Sequence, residues 1–133
     1  MNAKELLTTL TENKGIELTY LHINNATSKV ANMDFGQDIE PTGEYITFND
    51  HRFKLDVPNW EYGTIRFNNP LVLEYINTNS TGWKLTLSEM FNNKKKKALS
   101  NAVIKKGYDA IITIDSENNE IMEIVNLKGT KIK

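Results

Sequence analysis

From Tyr108 to Leu127 the chain runs YDAIITIDSENNEIMEIVNL: an almost wholly apolar stretch, a polar turn and a second stretch rich in Ile and Val. Two β-prone runs joined by a short polar turn specify a hairpin. A run apolar on both parities belongs inside a sheet, so YDAIITI is expected to be a central strand and IMEIVNL its returning partner. Side chains alternate faces along a strand, which puts Ile121, Glu123, Val125 and Leu127 on one side. Three of these are core residues and Glu123 is a carboxylate. Burying an unpaired carboxylate is costly, so Glu123 is expected to face a cleft rather than a sealed interior.

The rest of the chain supplies further strands and two or three helices. Asn2 can cap a first helix whose stripe is Leu6, Leu7 and Leu10, with Gly15 as its terminator. IELTYLHI follows as a strand with Ile16, Leu18, Tyr20 and His22 on one parity. ATSKVANMD has the pattern of one or two helical turns. A Pro-Thr-Gly turn precedes a strand from Glu44 to Phe48. Residues Asp50 to Tyr62 are expected to form a surface loop, and GTIRF and PLVLEYI to be strands. Pro70 cannot donate a ladder hydrogen bond, so it belongs at a strand start or a sheet edge. LTLSEMF is expected to be helical with Ser88 as its cap. The clearest helix spans about Asn93 to Lys106, with Gly107 ending it. The class is therefore α+β, with mixed or antiparallel sheets and two to three helices.

With 133 residues, 39% of them hydrophobic, the chain is expected to form a single domain spanning residues 1–133. Sixteen basic against seventeen acidic residues create no global pull toward nucleic acid or membrane. The absence of cysteine excludes disulfides and thiol nucleophiles. No membrane-length apolar run or signal-peptide layout is present, so a cytoplasmic location is expected. There is no phosphate-binding loop, HExxH or calcium loop. His22 and His51 are too far apart in sequence to mark a metal site by themselves. The Lys94 to Lys97 run has two readings, an anion-binding patch and a solvated helix face; the second is favoured. Three groups stand out on otherwise apolar strands: His22, Tyr45 and Glu123. Taken singly, each also fits an ordinary structural role.

Taken in order, YLHINNATSKVANMDFG, PTGEYITF, GTIRFNNPLVLEY, KALSNAVIKKGYDAIITI and NEIMEIVNL resemble the ADP-ribosyltransferase-like family, especially small phage and bacterial members. The resemblance covers roughly residues 18 to 127. It implies a fold of that family and a His-Tyr-Glu group at His22, Tyr45 and Glu123. By that resemblance, His22 seats the adenosine-side ribose of NAD, Tyr45 stacks on nicotinamide, and Glu123 binds the 2′-hydroxyl of the nicotinamide ribose. Many members follow the His with Gly and a hydroxyl residue; here Ile23, Asn24 and Asn25 follow, so the implied substitute is the later hydroxyl of Thr27 or Ser28, or Asn24 in its place. Many arginine-modifying members carry Gln or Glu two places before the catalytic Glu, where this chain has Ile121. The implied activity is transfer of ADP-ribose from NAD to a macromolecular acceptor, a protein more than a nucleic acid. The implied setting is a phage or bacterial effector acting on a host system in the host cytoplasm. The alternative is a non-catalytic module of the same fold that inhibits a protein partner.

Overall fold

In the computed structural model, residues 1–23, 39–48, 60–75 and 82–132 are described. Three helices and seven strands follow one another as α1 (Ala3–Asn13), β1 (Ile16–Ile23), β2 (Glu44–Phe48), β3 (Trp60–Phe67), β4 (Pro70–Glu74), α2 (Gly82–Met90), α3 (Lys96–Lys105), β5 (Ala110–Asp115), β6 (Glu120–Asn126) and β7 (Thr130–Ile132). The class is α+β, and the strands form one curled mixed sheet in the order β4-β5-β6-β2-β1-β3-β7. All pairings are antiparallel except β4 with β5.

The expected β5–β6 hairpin is present, and its ladder carries an irregularity. Ile112 pairs with Ile124 but Ile114 pairs with Ile121, so Met122 and Glu123 together lie opposite Thr113. An extra residue on one strand shifts its alternation by one face. Ile121 therefore packs with the core on one side of the sheet, while Val125 and Leu127 pack with the core on the other. This corrects the reading of Ile121, Glu123, Val125 and Leu127 as one row. The buried Thr113 hydroxyl donates to the Glu123 carbonyl oxygen at 2.7 Å, satisfying an acceptor that the bulge would otherwise strand.

The two faces of the sheet are packed differently. On the face covered by α1, Ile16, Leu18, Ile65, Phe67, Ile112 and Ile124 are sealed by Ala3 and Leu6. On the opposite face, Trp83 and Leu87 of α2 and Leu99 and Val103 of α3 cover Ile111 and Val125. Helix α1 is held at its start by Asn2, whose side chain accepts from the Glu5 N–H, and by Asn119 in the hairpin turn, which accepts from the Ala3 and Lys4 N–H groups. Leu7, one residue from the buried Leu6, turns 100° away and is exposed, so it leaves the expected stripe.

Other boundaries move for identifiable reasons. Lys14, not Gly15, ends α1 in the left-handed conformation at φ 61. Gly15 serves closeness instead: a Cβ there would sit 2.9 Å from the Phe67 carbonyl oxygen. Ser88 is in the last turn of α2 rather than at its start, and its hydroxyl donates to the Lys94 carbonyl. Asn92 and Asn93, at φ 61 and 62, keep α3 from starting before Lys96, and Gly107 follows it at φ 99. β3 begins at Trp60, so Trp60 to Tyr62 belong to a strand paired with β1 and not to the expected loop. Pro70 opens β4, an edge strand, satisfying both expectations for it. β7 was not expected. The ATSKVANMD segment lies outside the described residues. Among the described residues, no helix is long and apolar enough to cross a membrane.

Candidate functional site

The segment Ile39 to Thr42 leads into β2 and is fixed to both helices of the covering layer. The Ile39 carbonyl accepts from the Lys96 N–H at 3.2 Å, and the Thr42 carbonyl accepts from the buried Ser100 hydroxyl at 2.6 Å. Between them, Glu40 accepts from Lys84 at 2.9 Å. Lys84 is nearly buried, and its ammonium also lies 5.9 Å from the centre of the Trp83 ring. Gly43 then lets the chain close on β6; a Cβ there would come within 2.6 Å of Val125 Cγ1.

Alternation along β2 sends Ile46 into the core beneath α1 and Tyr45 to the face covered by α2 and α3, opposite Val125. The Tyr45 hydroxyl donates to the Pro41 carbonyl at 2.8 Å. Burial, then the negative charges of Glu40 and Glu123, push its pKa far above the usual tyrosine value. Tyr45 is therefore a neutral donor, aligned by its own turn.

Glu123 lies on that same helix-covered face. Its Oε2 accepts from the Trp83 indole N–H at 2.9 Å. The carboxylate is only half-buried, and its Oε1 has no hydrogen-bond partner among the described residues. One oxygen is thus oriented by a buried donor while the other remains able to accept from a ligand hydroxyl.

His22 is placed differently. It continues the row Ile16, Leu18 and Tyr20, which faces the core beneath α1. Its Nδ1 lies 3.0 Å from the Tyr45 carbonyl oxygen and its Nε2 lies 3.8 Å from Glu44 Oε2. A carbonyl only accepts, so Nδ1 carries the proton of that bond. The structure therefore brings Tyr45 and Glu123 together on one face and ties His22 to Tyr45 through the backbone from the other. Asn24, Thr27 and Ser28 lie outside the described residues, as does His51.

Trp83, Glu40 and Lys84 were not anticipated from the sequence. Trp83 and Leu87 stand four residues apart, a helical stripe that extends LTLSEMF toward Gly82 and would have revealed the indole. The Glu40–Lys84 pair has no such local signal, since 44 residues separate its members. The Lys94 to Lys97 side chains are all exposed around the start of α3. Compared with known proteins, the chain matches no family model, no curated protein and no solved structure.

Proposed function

We propose that this chain is an ADP-ribosyltransferase-like protein that binds NAD at the Tyr45–Glu123 face and moves ADP-ribose to a macromolecular acceptor, a protein rather than a nucleic acid. The observation that carries this reading is Glu123: a half-buried carboxylate on an apolar face near Tyr45, one oxygen held by Trp83 and the other without a hydrogen-bond partner among the described residues. In the reaction the bond from ribose C1′ to the nicotinamide nitrogen breaks, and nicotinamide leaves with the electron pair. An acceptor nucleophile bonds to C1′ and loses a proton. The ribose carbon passes through an oxocarbenium-like state, which a fixed carboxylate stabilises. Glu123 would accept from the ribose 2′-hydroxyl through Oε1, and the Tyr45 ring would offer an aromatic face to the cationic nicotinamide.

The test is incubation with NAD labelled in its adenylate part and a cell lysate, followed by detection of label on macromolecules. Glu123→Gln preserves an acceptor for the Trp83 indole and should lower nicotinamide release by about 100-fold or more. Undiminished release in that variant would remove Glu123 from the chemistry.

One observation favours a second reading, a non-catalytic module that inhibits a protein partner. His22 faces the α1 side, so the three groups do not line a single surface. Under this reading NAD leaves the melting temperature unchanged, whereas saturating NAD raises it if the cofactor binds the folded chain.

A further inference from the structure

Five neighbouring strands each send polar side chains to one place on the α1 face, where alternation elsewhere supplies aliphatic residues. β6 contributes Asn126, β2 Glu44, β1 Tyr20 and His22, β3 Glu61, and β7 Lys131. The Lys131 ammonium is at the centre. It donates to Glu44 at 2.8 Å and to Glu61 at 3.1 Å, and lies 5.4 Å from the centre of the Tyr20 ring. Asn126 donates to the other Glu44 oxygen at 3.0 Å, orienting that carboxylate. The Tyr20 ring lies against Gly63, where a Cβ would approach it to 3.1 Å. Two carboxylates and an aromatic face around one ammonium form a recognition site for a basic side chain, filled here by the chain itself.

The element that fills it is weakly held. β7 has three residues, all exposed, and it pairs with β3 alone at the edge of the sheet. Short edge strands are readily exchanged, since a competing strand offers the same backbone hydrogen bonds. Glu44 lifts the Lys131 pKa above the usual lysine value, burial opposes this, and Glu61 adds to the rise, so the ammonium stays charged.

We propose that this charged cluster is a docking site for an extended basic peptide strand of a protein partner, which pairs with β3 in place of β7 and sets a Lys or Arg between Glu44 and Glu61. Lys131 closes the site until such a strand displaces it. The site is separate from the Tyr45–Glu123 face and does not depend on the enzymatic reading.

The test uses the full chain carrying Lys131→Ala, which empties the site and keeps the strand. The probe is a fluorescein-labelled peptide LKGTKIK, copying residues 127–133. The variant should bind it about ten-fold tighter than the unsubstituted chain, and adding Glu44→Gln with Glu61→Gln should reverse that gain. A peptide with alanine at the position matching Lys131 should bind about ten-fold more weakly than the lysine peptide. Equal binding of the two peptides, or no binding by the folded variant, overturns the proposal. If circular dichroism shows that the variant does not fold, amide exchange on the unsubstituted chain decides instead. Excess lysine peptide must then expose the β7 amides, and unchanged protection overturns the proposal.

Discussion

The two faces of one sheet handle polar groups in opposite ways. On the face covered by α2 and α3, polar side chains are paired locally inside an apolar layer: Tyr45 with Pro41, Glu123 with Trp83, Ser100 with Thr42, Lys84 with Glu40. On the α1 face, Glu44, Glu61, Asn126 and Lys131 share one partly exposed network. The difference follows from what covers each face. Two helices cover the first, so the donors and acceptors buried there need fixed partners, while the half-buried Glu123 keeps one oxygen for a ligand. Among the described residues, a three-residue strand closes the mouth of the second, and charges meet there at moderate desolvation cost.

The comparison breaks hardest at Trp83. Replacing this buried indole by alanine should cost about 3–5 kcal/mol, because it removes a ring from the helix layer and leaves a cavity. Trp83→Phe retains most of the packing but strands the Glu123 carboxylate, at about 1–3 kcal/mol. Urea unfolding of both variants measures the two contributions; equal losses would mean that ring packing adds little beyond the hydrogen bond.

The α1 face is tested next at Gly129, where a methyl group would enter the Phe67 ring. Gly129→Ala should cost about 1–3 kcal/mol by overpacking. An unchanged midpoint would show that the approach to β7 is slack.

Tyr45→Phe deletes one hydroxyl from the face covered by α2 and α3 and leaves the Pro41 carbonyl unpaired, a loss of about 1 kcal/mol in urea unfolding. Lys131→Ala, on the α1 face, should change stability by only about 0–1 kcal/mol, since exposed ion pairs contribute little.

The smallest effect is the dependence on pH. Burial alone would raise the Glu44 pKa, but Lys131 and Asn126 outweigh it and hold the carboxyl below the usual value. A carboxyl depressed in the folded state adds stability above its unfolded pKa, and this is lost as pH falls through the folded pKa. The stability difference between the unsubstituted chain and Glu44→Gln should therefore shrink on acidification below the ordinary carboxylate range. A difference independent of pH in urea titrations would show that Glu44 acts through shape alone.

Strand parity was legible wherever pairing was regular. Ile16, Leu18 and Tyr20 were readable as a row and are buried as one, and β2 spans Glu44–Phe48 as expected. Parity failed at Ile121, where the bulge opposite Thr113 interrupts the alternation; nothing in NEIMEIVNL marks that extra residue. It also failed to separate His22 from Tyr45, because a strand pattern shows which residues share a side but not which side of the sheet that is. Gly63 within β3 resembled a strand boundary, yet it is the space required by the Tyr20 ring across the ladder.

By itself, then, the sequence determined the α+β class, the β5–β6 hairpin, the Asn2 cap and a carboxylate placed among core residues. These depend on neighbours within a few positions, where propensity and periodicity act. Only the tertiary structure decided that Glu123 meets Trp83, that His22 turns to the α1 side, and that Lys131 reaches Glu44 across 87 positions. Those contacts arise from strand order, curl and a single register shift, which are properties of pairings between distant segments and leave no local trace.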